Sequence, residues 1–453
     1  MASQQSPSLR QQQPLLSSTS THNSSIDAAS NAAAASSYGA APSNDGNGDG
    51  DPGGGSLVLR NQSSVVETFF HIVCITAGTG ILQLPYALKQ GGWIGVLYIG
   101  LAAAISAYSG NVLVRCLYCV PGMRLKSYSE VAEAAYGKGG RLLVRALKDI
   151  NLLGVVGIYI VLAGVNIDSL LAGTSLGWLG VQFWIAVSAA MIWVVIVLAR
   201  QIHDVFLLSV FGTLTTVAAV VIIVCLGLGD EAYRDARPPT KLMDFTLAPI
   251  SLASVCFSFG GNLNWPDLEA SMKSPRQWSS TLVSATAFIA AIYLCVAAVG
   301  YGVYGDLVKS PILQSLPPGI PVVAANAMIT AHVLLASPIL LTAVFIEAER
   351  DLDLSSAALS PSRQWLYRVG FRSMLMLGLA LCALFVSDFS KFVPILGAIA
   401  ASMVVFVIPV ACYVRLFKGQ RAFTSAEYVW CGLIVCIGLL CLVIGTAQAL
   451  ANL

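Results

Sequence analysis

Read for apolar runs, the chain falls into two unequal parts. The first 63 residues contain none. Ser, Ala, Gly, Asn and Gln dominate there, and such a segment cannot bury enough surface to offset the entropy of ordering it. A disordered tail is therefore expected over 1–63. From Ser64 onward the character reverses. A bilayer core takes about 20 apolar residues per helix. That ruler gives spans at 64–90, 93–119, 145–173, 180–199, 204–228, 246–271, 278–304, 320–347, 365–387, 390–416 and 427–450. Helices alone supply so many spans without orphaned backbone groups. The pattern predicts an all-α, polytopic membrane protein of about eleven transmembrane helices. Between the second and third spans, Val131, Ala134 and Ala135 recur at helical spacing ahead of Gly137. This predicts a short interfacial helix with a glycine stop.

Composition agrees. Hydrophobic residues make up 56% of the 453, and charged residues only 11%, against roughly 25% in soluble globular chains. A net charge of +2, with no basic tract, implies no nucleic-acid partner. The eleven cysteines are scattered. The Cys116/Cys119 pair lacks the second pair or histidines that a zinc site needs, so no metal is expected. Most Lys and Arg residues fall on the side of the tail; only Lys89, Arg234, Arg237, Lys241, Lys309 and Lys391 fall opposite. The positive-inside rule then puts the N-terminus in the cytoplasm and the C-terminus outside or in a lumen.

Glycine placement carries the functional information. The first span has Gly78 and Gly80 near its middle, followed by Pro85; the sixth has Gly260 and Gly261, followed by Pro266. Gly costs about 1 kcal/mol against Ala inside a helix. Paired glycines at mid-depth predict unwinding, which a membrane tolerates only inside protein or beside a water-filled cavity. The breaks are five helices apart, so the two spans cross in opposite directions. That fits a 5+5 inverted repeat over 64–418, with an additional helix at 419–453. Interrupted segments at matching positions of two halves mark a transporter's substrate site. Close helix packing is the plainer explanation of either pair alone.

A half-helix starting near Gly80 presents N–H groups that suit a carboxylate. Half-helices ending near Ile75 and Phe257 present carbonyls that suit an ammonium group or a cation. Together they match a zwitterionic amino acid. No Asp or Glu stands in the first break, which argues against a transition-metal substrate.

The run Gly78-Thr79-Gly80-Ile81-Leu82-Gln83-Leu84-Pro85-Tyr86-Ala87, followed by Gly91-Gly92-Trp93, resembles the amino acid/auxin permease family. So does the stretch from Phe259-Gly260-Gly261 to Glu269-Ala270-Ser271-Met272. The resemblance is nearest to vacuolar and vesicular amino acid transporters and covers residues 64 to about 450. It implies a fold like the bacterial leucine transporter, and secondary active transport of free amino acids coupled to H⁺ or Na⁺. It implies no cofactor beyond that ion, a monomer, and a vacuolar, lysosomal-type or plasma membrane. By position, Gly78, Thr79 and Gly80 would hold the carboxylate. Phe257, Ser258, Phe259 and Gly260 would give carbonyls and walls, and Tyr159 a hydroxyl or gate. Many members carry Asn where this chain has Cys74, which puts a side-chain contact in doubt but leaves the backbone contacts.

Ionisable groups at membrane depth are functional candidates by default. His71, in the first span, and His332, in the eighth, carry imidazoles, which titrate near ~6.5. Ser337 is where a Na⁺ would sit in this fold, and Asp168 lies near the outer face. Each has a plainer alternative in packing or solvation. Ser64-x-x-Glu67 reads as a capping box. Two other functions compete. A nutrient sensor on the same fold is favoured by the long tail. A membrane enzyme would need acid–base company in a loop, and the one loop histidine, His203 beside Asp204, reads as a helix cap.

Overall fold

Ser64 and Glu67 close the capping box that their spacing predicts. Ser64 Oγ accepts from the Glu67 amide at 3.2 Å, and Glu67 Oε2 accepts from the Ser64 amide at 2.7 Å. A helix that starts inside an apolar run is fixed at that residue. The computed structural model describes residues 63–198, 205–352, 360–386, 388–420 and 422–451. The tail expected over 1–63 lies, Ser63 apart, outside the described residues, as do His203 and Asp204.

The first span is α1 (Val65–Thr76), a 3-10 turn at Thr79–Gln83 and α2 (Leu84–Gly91). Then follow α3 (Gly95–Cys116), α4 (Tyr128–Leu171), α5 (Gly180–Leu198) and α6 (Val205–Gly229). A short α7 (Glu231–Ala236) leads to the sixth span, made of α8 (Ala248–Ser258), a 3-10 turn at Gly260–Asn264 and α9 (Trp265–Ser271). The rest comprises α10 (Trp278–Tyr304), α11 (Ile320–Asp351), α12 (Pro361–Phe385), α13 (Phe389–Leu396), a π-helical stretch Gly397–Val407, α14 (Ile408–Phe417), α15 (Ser425–Leu440), a π turn Cys441–Gly445 and α16 (Thr446–Ala451).

Among the described residues nine helices are long and apolar enough to cross a bilayer, and the first span, bent by 41°, makes a tenth. The 11 residues of α8 and 7 of α9 cannot cross singly; with the turn between them they occupy the stretch expected as the sixth span. The protein is thus an all-α polytopic membrane protein with close to the eleven spans read from the sequence. Gly137 ends the short interfacial segment as predicted, but α4 resumes directly beyond it. Its φ of 70° and ψ of −162° lie in a region that is essentially glycine-only.

Helix placement follows side-chain character. α12 exposes Met374, Leu377, Leu381 and Phe385, as a helix bordered by lipid does. The π stretch is buried almost throughout. Its altered register leaves carbonyls for outside donors: Tyr128 Oη donates to Val404 O at 2.9 Å, and Asn262 Nδ2 to Val405 O at 3.3 Å. That second bond ties the sixth-span break to the tenth span.

A candidate substrate site at two broken helices

The first break begins where α1 ends. The Ala77 amide still reaches Val73 O at 2.7 Å. Gly78 then leaves the helical region with φ −78° and ψ −133°, and no side chain caps the turn that follows. In the sixth span Phe259, at φ −104° and ψ 20°, closes α8 and opens the next turn, again without a side-chain cap. Both breaks therefore leave backbone donors and acceptors at mid-span.

The two breaks meet. A Cβ added to Gly80 would lie 2.7 Å from Ser258 Oγ and 2.8 Å from Ser258 Cα. One added to Gly78 would lie 3.0 Å from Tyr159 Oη. One added to Gly261 would fall 2.7 Å from Thr76 Oγ1. Glycine is thus required at Gly80 so that backbone can approach backbone, whereas at Gly261 it makes room for the side chains of Trp265 and Thr76. Gly260, also singled out in the sequence, faces open space, so the close approach in that pair belongs to Gly261. Thr79, Tyr159, Phe257, Ser258 and Phe259 are all buried around this junction.

The carbonyl pole is shifted from its expected place. α1 ends at Thr76, one residue beyond the expected Ile75, and Ile75 is only half-buried. Thr76 O and Ser258 O, the last carbonyls of α1 and α8, both accept from Tyr293 Oη at 2.7 Å. Tyr293, on α10, was not among the sequence candidates. An aromatic residue in an apolar span carries no local signal, and only the packing of α10 shows its role.

A second cluster sits beside α1. A Cβ on Gly212 of α6 would meet His332 Nδ1 at 2.6 Å and Cys74 Sγ at 2.7 Å. His332 is buried, and its Nδ1 has no hydrogen-bond partner. Ser337 is buried but donates to Val333 O of its own helix at 2.7 Å. His71 is buried one turn beyond Glu67, away from the junction in sequence by a further turn. Asp168 lines a cavity of about 510 Å³ with Lys309, Ser310 and Asp388 at the other end of α4. Ser310 Oγ donates to Gln83 Oε1, so the wall of this cavity contacts the first break.

At the ends of α1 and α9 the chain is closed by polar clasps. The Ser63 amide donates to Ser271 O, and the Lys273 amide to Ser63 O, both at 2.9 Å. Glu269, 1% exposed, accepts from Arg124 Nη2 and from Tyr118 Oη, each at 2.5 Å.

Two broken helices, each with its uncapped turn against the other's half-helix, define a transporter of the leucine-transporter fold. The family model described as "Transmembrane amino acid transporter protein" matches residues 61–451, and the chain belongs to that family. It is similar to amino acid transporter AVT1E of Arabidopsis thaliana, 28% identical over 84% of this chain and 71% of the relative. Amino acid transporter AVT1J of the same plant is 24% identical over 87% of this chain and 92% of the relative. Among solved structures it resembles MhsT in complex with L-phenylalanine, with a TM-score of 0.53, 12% identity, and coverage of 86% of this chain and 99% of that one. A Na⁺-coupled sialic acid symporter follows, with a TM-score of 0.52, 13% identity, and coverage of 87% and 91%. At such identities these likenesses show the fold alone.

Proposed function

We propose that this protein is a secondary active amino acid transporter that binds the zwitterion at the junction of the two breaks and moves it by alternating access. The observation that carries this is the contact of Gly80 with Ser258, with the Tyr159 hydroxyl against Gly78. The uncapped amides of the turn at Thr79–Gln83 take the carboxylate. The carbonyls of Thr76 and Ser258 take the ammonium, helped by the negative ends of α1 and α8. The names of the similar plant proteins favour the same substrate class. Gln83, buried and bonded to Ser310 and to Ser390 O, ties the first break to the wall of the outer cavity, which supports a state closed on that side. The polar clasps at Ser63 and Glu269 support closure on the other.

Coupling is to H⁺, with His332 as the carrier, since its Nδ1 has no hydrogen-bond partner and it stands with Cys74 of α1 against Gly212. The transport core spans 64–418 and the added helix 419–453. The Lys and Arg distribution supports a cytoplasmic N-terminus and a lumenal or external C-terminus in a vacuolar-type membrane, and the protein acts as a monomer.

Uptake of a panel of labelled amino acids into proteoliposomes, with and without an imposed pH gradient, tests this. Several amino acids are expected to accumulate only with the gradient, and His332→Ala to abolish that dependence. Binding without turnover would replace the transporter with a sensor. Gradient-independent uptake would remove the proton.

A further inference from the structure

The Tyr293 hydroxyl bridges the final carbonyls of two different half-helices. Its oxygen lies 2.7 Å from Thr76 O and 2.7 Å from Ser258 O. A tyrosine has one O–H hydrogen, while each carbonyl offers two lone pairs. One shared hydrogen cannot saturate both carbonyls, so each keeps acceptor capacity. Both also sit at negative helix ends, and a neutral phenol leaves much of that potential uncompensated. The ring is held in place: it is fully buried and meets Phe259 edge-on with centroids 5.2 Å apart.

We propose that Tyr293 is a positioning and specificity-determining residue. From α10 its hydroxyl holds the carbonyls of Thr76 and Ser258 at the spacing where one substrate ammonium meets both. This deepens the reading above, on which it rests, that the ammonium goes to these carbonyls. Selection for an α-ammonium group then depends on a residue outside the two broken helices. An uncharged 2-hydroxyl in place of the ammonium gains far less from the two helix ends, so binding of a 2-hydroxy acid depends far less on how well they are aligned.

The test is Tyr293→Phe in the full-length protein, with reconstituted transporter counted by size-exclusion fluorescence. Two constants are read: KM for an accepted amino acid, and the inhibition constant of the matching 2-hydroxy acid. Loss of one aligning hydrogen bond is expected to raise the amino acid KM about tenfold and leave the hydroxy acid constant unchanged. A KM that stays at the wild-type value overturns the assignment, and so do two constants that rise together, as a general loosening of the site would cause. If Tyr293→Phe does not assemble, a 3-fluorotyrosine at 293 nearly keeps the shape and strengthens the hydroxyl as a donor. It is expected to move the amino acid constant alone, and equal movement of both, or of neither, overturns the assignment. Wild-type protein that takes up no amino acid is a different result and removes the underlying reading itself.

Discussion

Glycines of the same motif type carry opposite expectations. Gly80 presses on Ser258, and an added Cβ would sit 2.8 Å from that residue's Cα, which backbone cannot yield without moving. Displacement of a binding group by even ~1 Å can cost about a hundredfold in rate. Gly80→Ala is therefore expected to lower amino acid uptake more than tenfold at equal surface expression. Gly260 meets nothing within 4 Å, and Gly260→Ala is expected to leave uptake within about twofold, the context scatter of a surface substitution. Equal losses in the two variants would mean that close approach is not what the first break requires. The sequence could show that these glycines mattered, because helix interiors disfavour them. It could not show which of Gly260 and Gly261 is the tight one, since that depends on how the Trp265 ring and Thr76 of another span pack around it. For the same reason Tyr293 stayed hidden: its partners are backbone atoms of two remote segments.

At the scale of elements, most of the framework was written in apolar run length, and the boundaries of α3, α5 and α10 fall within a few residues of the spans expected. The capping box at Ser64 and the stop at Gly137 were local enough to read outright. What pattern alone could not supply were long-range clasps. By position alone Glu269 is an acid early in α9, where a negative charge complements the helix dipole. In the structure it is instead the buried partner of Arg124 and Tyr118. Removing one member of a buried ion pair leaves the other charge uncompensated, at about 3 kcal/mol or more; the Arg124 side chain is 25% exposed, which places this pair at the low end. Glu269→Ala should lower the thermal midpoint of the detergent-solubilised protein by several degrees. An unchanged midpoint would show that water already screens the clasp. Gly137 belongs to the same scale. Its backbone angles admit little else, and Gly137→Val should cost about 1–3 kcal/mol in the same assay, although an added Cβ would meet nothing within 4 Å.

For the whole molecule, the meaning of exposure is inverted. Leu377 and Leu381 are 62% and 54% exposed, positions where a water-soluble protein would accept a charge freely. Here lipid is the neighbour, and Arg at the middle of a transmembrane helix costs roughly 2.5–3.5 kcal/mol on insertion scales. Leu377→Arg is expected to reduce membrane-inserted protein several-fold, measured by protease protection in isolated vesicles. Normal insertion would place α12 away from lipid.

Residue 63 is bonded on one side to residue 271 and on the other to residue 273. Two strands of polypeptide so stitched share any load. Any shift of the backbone at Ser63 is passed to the beginning of the first crossing and to the end of the sixth at once. Neither end moves there without drawing the other after it.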